Sequence, residues 1–333
     1  MIAIAVAILL AGIATGATVL TVRRDDGADG TDTTGPTSSV PSETNSIVDT
    51  IDLDSPPDSA AATSADLWVV NGRRTDGRGT VTRIDLETNE IIDTISLDPF
   101  AVGVTATSDA VWVTNSVTNT LSRIDTLTNE VTATVDVGAN PNGVAASGNS
   151  VWVANSFGAS VSRVDRSTNR VVATVPVSES PTGIAANRTA VWVTQFGGRT
   201  LSRIDPATNQ VVATIDVGRG PVGVAATRNA VWVSNTSDGT VARIDPATNE
   251  VAATIAVGDS TGELAATDDA VWVVSYDDSS GDQVFDGAGH VSRIDPASNE
   301  ATVFVDLTSL GAIAATTNAV WVGSGASIVR LDT

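Results

Sequence analysis

The chain has 333 residues, and its 18 basic against 39 acidic side chains give a formal net charge of −21. It contains no cysteine, all of its basic residues are arginine, and His290 is its single histidine. Disulfides, thiolate sites, lysine Schiff bases and histidine pairs are therefore excluded, and a charge of this sign repels nucleic-acid phosphates, so no nucleic-acid partner is expected.

Residues 1–22 carry no charged side chain and, as a helix, are just long enough to cross a bilayer core of about 30 Å. They read as a signal peptide or a membrane anchor. No basic residue precedes the apolar run, and Arg23 and Arg24 follow it, which is the flank expected on a cytoplasmic side. Small residues around Ala14 and Ala17 suit a signal peptidase, and export is the favoured reading: an extracytoplasmic protein, held at the membrane through residues 1–22 if they are uncleaved. Residues 23–43, poor in apolar side chains and rich in Asp, Gly, Thr, Ser and Pro, read as a flexible, solvated linker.

The remainder, residues 44–333, is repetitive. Trp68, Trp112, Trp152, Trp192, Trp232 and Trp272 recur at spacings of 44, 40, 40, 40 and 40, and Trp321 follows 49 residues later. An Arg-hydrophobic-Asp signature recurs at Arg83, Arg123, Arg163, Arg203, Arg243, Arg293 and Arg330, and a Thr/Ser-Asn pair at Asn45, Asn89, Asn129, Asn169, Asn209, Asn249 and Asn299. All three signatures count seven copies. Each copy holds four short runs rich in Val, Ile, Ala and Thr, bounded by Gly, Pro, Asn and Asp. Four strands of about six residues with four connections of about four give a period near 40, the signature of a propeller blade.

Within a blade, the small-residue run (GVAAT) suits the crowded inner strand a; the Trp run is b, VSRID is c and VVATI the outer strand d. Pro206, Pro246 and Pro296 preset the c-d turn, and Asp205, Asp245 and Asp295 are placed to cap nearby amides. The repeated arginines are expected to pair with carboxylates between blades. Because the repeats begin with a lone d strand (residues 44–52) and end with a c strand (residues 328–332), the N-terminal strand should complete blade seven and close the ring. The expected fold is all-β, a seven-bladed propeller of four-stranded blades, monomeric.

The b strand of Trp112-Val113-Thr114-Asn115 and the unit around it resemble the YVTN repeat of the YncE-like extracytoplasmic propellers, with Trp in place of Tyr, over residues 44–332. The resemblance implies export, and binding of a ligand or partner more often than catalysis.

Function is expected where copies differ. Two insertions fall in b-c loops, at residues 71–80 in blade one and 275–290 in blade six. Such loops share the top rim with the d-a connections. Phe100 lies in a d-a connection, and Phe157, Phe196, Tyr276 and Phe285 lie in b-c loops, with Arg73, Arg74, Arg78, Arg199 and Arg219 on the same rim; Phe304 alone belongs to an outer strand. Exposed aromatics with arginines suit an envelope protein or glycan as partner. In the inner strands, the series Ser59, Gly103, Gly143, Gly183, Gly223, Glu263, Ala312 contains one acidic residue. Glu263 with Asp277, Asp278, Asp282, Asp286 and His290 offers oxygen and nitrogen donors, which leaves calcium as the one cofactor in play.

The favoured function is therefore a non-enzymatic, envelope-located propeller that binds through its top face. One alternative is an enzyme resembling the streptogramin lyases or the propeller lactonases. His290, on the inserted loop, is then the sole candidate general base and has no evident catalytic companion. A structural spacer in the envelope is the other.

Overall fold

The computed structural model describes residues 47–72, 78–276 and 288–333. Residues 44–333 form one compact unit. The unit is all-β, with seven four-stranded antiparallel sheets arranged as the blades of a propeller. Blades one to six span residues 59–97, 101–136, 141–176, 181–216, 221–256 and 260–308. Each runs a-b-c-d in sequence order. Blade seven takes its strands a, b and c from Leu310–Ala315, Ala319–Ser324 and Ser327–Asp332, and its outer strand is Ile47–Asp52, antiparallel to Ser327–Asp332. Ring closure by the N-terminal strand is thus as expected.

The core is divided among the blade interfaces. Trp192, Leu201, Ile215 and Val217 of blade four pack against Val231, Val233 and Ile244 of blade five. Across the closure, Trp321 and Ile328 of blade seven and Ile51 pack with Leu67, Val69 and Ile84 of blade one. All seven Trp side chains are buried. Each lies directly opposite the repeated Arg of strand c, as in Trp152↔Arg163 and Trp192↔Arg203. In blades one to six the guanidinium stands 5.0–5.9 Å from the indole centroid, a cation–π distance.

The inter-blade partner of these arginines corrects the expectation of carboxylates. Nη1 of Arg163, Arg203 and Arg243 donates to the side-chain carbonyl of Asn209, Asn249 and Asn299 at 2.9, 2.7 and 2.8 Å. The same nitrogens donate to the backbone carbonyls of Pro206, Pro246 and Pro296. Every acceptor lies in the c-d turn of the following blade. Arg83 does find a carboxylate, Asp66, but in its own blade, and it reaches Asn129 in blade two. These Asn residues occupy the left-handed region (φ 57–61°), which Asn tolerates better than most side chains. The turn geometry thus requires Asn for its backbone and presents its side chain to the neighbour's Arg. Blade three departs from this pattern. Arg166 stands at the turn's Pro position and bonds Asp109 and the Gly148 carbonyl, while Arg123 turns to Thr132. The Asn169 side-chain oxygen is left buried without a partner.

The turn aspartates cap amides as expected: Asp205, Asp245 and Asp295 accept from the amides of Ala207, Ala247 and Ala297 at 2.8, 2.7 and 2.6 Å.

Candidate functional site

The b-c loops and d-a connections share one rim. Backbone bonds join them, from Ser116 N to Phe100 O, Ser156 N to Asn140 O, Phe196 N to Ser180 O and Thr236 N to Gly220 O, at 2.9–3.1 Å. On this rim Phe100, Phe157 and Phe196 are exposed, Phe157 at 80%. Val117, in the b-c loop of blade two, is 61% exposed and completes an apolar arc over blades two to four. Sequence reasoning missed Val117 because it considered aromatics alone. Tyr276 differs from the expectation: it ends strand b of blade six, is half-buried, and its hydroxyl lies 3.5 Å from the Leu310 carbonyl. Phe304 packs edge-on against Trp272, with centroids 4.7 Å apart.

The rim arginines are less uniform than their positions suggest. Arg199 is exposed and left-handed (φ 57°) at the end of a short 3-10 turn, Phe196–Gly198. Arg219 is tied to Asp238, with Nε 2.5 Å from Oδ1 and its own amide 2.7 Å from Oδ2. Those bonds from Arg219 hold the Asp238 carboxyl below its ordinary value. Arg78 is exposed. Arg73, Arg74 and Phe285 lie outside the described residues.

A second feature lies on the axis. Residues from all seven blades line a tunnel of about 180 Å³, among them Ser59, Gly103, Gly143, Gly183, Glu263 and Ala312. Small residues are needed here for a reason the sequence did not disclose. A Cβ on Gly103, Gly143 or Gly183 would sit 2.1–2.4 Å from the carbonyl oxygen of Asn142, Thr182 or Val222 on the next inner strand. Each glycine sits at a bulge in the a-b register, and in blades two and four a hydroxyl of strand b satisfies the freed groups, whereas blade three has Ala154 there. Thr114 Oγ1 accepts from Gly103 N and donates to Asn142 O; Thr194 does the same for Gly183 and Val222. In blade six both devices are replaced, by Glu263 and Val274.

Glu263 is exposed to the tunnel space. Desolvation raises its carboxyl above the ordinary range. Above it a groove of about 540 Å³ opens between blades six, seven and one. Glu263 and Asp58 line both cavities. Asp58 accepts the Gly72 amide at 2.7 Å.

The calcium grouping is not assembled by what is described. Asp277, Asp278, Asp282 and Asp286 lie outside the described residues, and among the described ones no three acidic or histidine groups gather. His290 is not on a loop. It belongs to strand c of blade six, Ala288–Ile294, is 9% exposed, and places Nε2 2.9 Å from the Val257 carbonyl. In blade five the equivalent bond, to Val217 O, comes from Asn235 at 2.8 Å. His290 thus replaces an Asn that blade six lacks, since Ser275 stands at that position.

The chain matches no described protein family, and no curated protein is detectably similar in sequence. A similar solved structure is the Kuenenia stuttgartiensis hydrazine synthase, with a TM-score of 0.57 and 18% identity over 67% of this chain and 73% of that one. At that identity the likeness concerns the fold, and it supports the propeller architecture.

Proposed function

We propose that this chain is an extracytoplasmic, YVTN-like propeller that acts without catalysis, binding a protein or glycan of the cell envelope through its top face. The observation that carries the reading is the exposed apolar arc of Phe100, Val117, Phe157 and Phe196 over blades two to four, in a chain whose net charge is −21. Water gains by release from such a surface, and apolar patches of this kind mark interaction sites. Arg199 at the same rim adds a donor for carboxylates or sugar hydroxyls. The engagement of His290 with Val257 O supports a binding role over an eliminating enzyme, which needs a free imidazole base. Export rests on residues 1–22 and on the family resemblance.

The test replaces Phe100, Phe157 and Phe196 together by Ser. Wild type and variant are immobilised and exposed to an envelope fraction of the source cell. A partner retained by wild type and lost by the triple variant, with both melting alike, supports the reading; equal retention by the two defeats it.

A further inference from the structure

Blade six is where the ring departs from itself. In blades two, four and five a glycine meets a strand-b hydroxyl at this level (Gly103–Thr114, Gly183–Thr194, Gly223–Ser234), and blades one and seven keep small residues, Ser59 and Ala312, on the axis, whereas blade six has Glu263 and Val274 in those places. The groove lined by Gly262, Tyr276, Leu310, Pro56 and Pro57 lies at the same point. Blade six thus sets a carboxylate on the axis where the series otherwise carries Gly, Ser or Ala, and departures of this kind from a repeated pattern are found at functional sites.

We propose that the tunnel and the groove above it bind a small organic cation, with an ammonium or guanidinium head against Glu263 and an apolar stem along Tyr276, Leu310, Pro56 and Pro57. This inference does not rest on the apolar arc, which lies on other blades. Three observations select the ligand class. First, among the described residues the tunnel lining contains two ionisable groups, Glu263 and Asp58, both acidic, and no Arg or His. No hydrogen-bond or ion-pair partner of Glu263 exists among the described residues. A carboxylate that faces the tunnel without a partner among the described residues is one that an entering cation would engage. Second, the field of a chain of charge −21 concentrates cations and excludes anions. Third, a calcium ion requires six to eight oxygens, whereas a singly charged head needs one carboxylate and the carbonyls of the inner strands. The tunnel's volume of about 180 Å³ has room for such a head in place of several waters. Tyr276 at the groove adds an aromatic face of the kind that favours organic cations.

The experiment titrates the full chain at neutral pH with n-hexylamine by calorimetry, with calcium chloride and an acetylated glycyl-lysyl-glycine amide as parallel probes. Hexylammonium is expected to bind at one site per chain. Its affinity should fall about tenfold or more in Glu263→Gln, in keeping with loss of a charge-assisted contact. Glu263→Asp, which keeps the charge, should retain weakened binding. Wild-type affinity should also drop as pH falls and Glu263 takes up a proton, with Asp58 the other titrating group of the lining. A silent titration, binding unchanged in Glu263→Gln, or heat from calcium or the peptide alone would each overturn the proposal.

Discussion

The link between each repeated Arg and the next blade's turn Asn is open to a controlled measurement, because the molecule contains its own reference. Asn249 and Asn169 occupy the same turn position with φ of 61° and 53°. Asn249 accepts a bond from Arg203 at 2.7 Å, whereas the Asn169 oxygen is buried and unbonded. Replacing either by Gly preserves the left-handed backbone and adds the same freedom to the unfolded chain, so those contributions cancel in the comparison. What remains is one hydrogen bond to a charged donor, worth about 1.5–3 kcal/mol. The Arg203 pair is half-buried, and Arg203 keeps its bond to the Pro246 carbonyl, so the lower end applies. At about 2 °C per kcal/mol for a domain of this size, Asn249→Gly should melt about 3–4 °C below Asn169→Gly. Scanning calorimetry of both variants at one pH and concentration reads the difference. Asn169→Gly should lie at or slightly above wild type, because it removes an orphaned acceptor. Equal melting temperatures for the two variants would refute the claim that these contacts hold adjacent blades together.

Other expectations follow from the same geometry. Deleting residues 44–52 exposes the edge of Ser327–Asp332 and uncovers the Ile51 packing against Leu67 and Ile84, so calorimetry should show a large loss of melting temperature, and an unchanged melt would disprove closure. For Glu263, a native pKa raised above the unfolded value means that the unfolded state loses its proton first as pH rises, so stability falls between the ordinary Glu range and the native pKa. Glu263→Gln should accordingly melt above wild type at neutral pH, with the gap closing in acid below about pH 4; a gap that persists there contradicts this origin. The opposite sign holds for Asp85, Asp125, Asp165, Asp205 and Asp295, whose carboxyls are lowered chiefly by bonds from Thr88, Leu127, Ser167, Ala207 and Ala297. Their contribution is complete above the ordinary Asp value and is lost as pH falls through the native ones, so Asp205→Asn should lower the melting temperature at pH 7 and make little difference near pH 2. Finally, His290→Ala removes the donor to Val257 O from a buried site and should cost about 1–3 kcal/mol, read by urea denaturation.

The periodic features were legible in the sequence because they repeat along the chain. Trp spacing gave the blade, the Arg signature gave strand c, and the lone outer strand at residues 44–52 gave closure. What stayed hidden depends on the neighbouring blade. Nothing local to Arg203 indicates that its partner is Asn249, 46 positions away. The inner glycines were readable as small residues, but their reason, a carbonyl one blade on, was not. His290 misled because insertions are assumed to be loops, whereas strand c simply begins earlier, at Ala288. Glu263 was identifiable as the odd member of its series. The cavity that gives it meaning depends on all seven inner strands at once.

Closure by Ile47–Asp52 has a kinetic corollary. Its pairing with Ser327–Asp332 includes a bond from Ser327 Oγ to Asp52 Oδ1 across 275 positions of sequence. Contacts of such separation form late, after the intervening chain has lost much of its freedom. During synthesis the earliest strand of the ring must therefore wait, unpaired, for the last. Until that pairing forms, Ser327–Asp332 presents an open strand edge, the part of the ring at which pairing with another chain would begin.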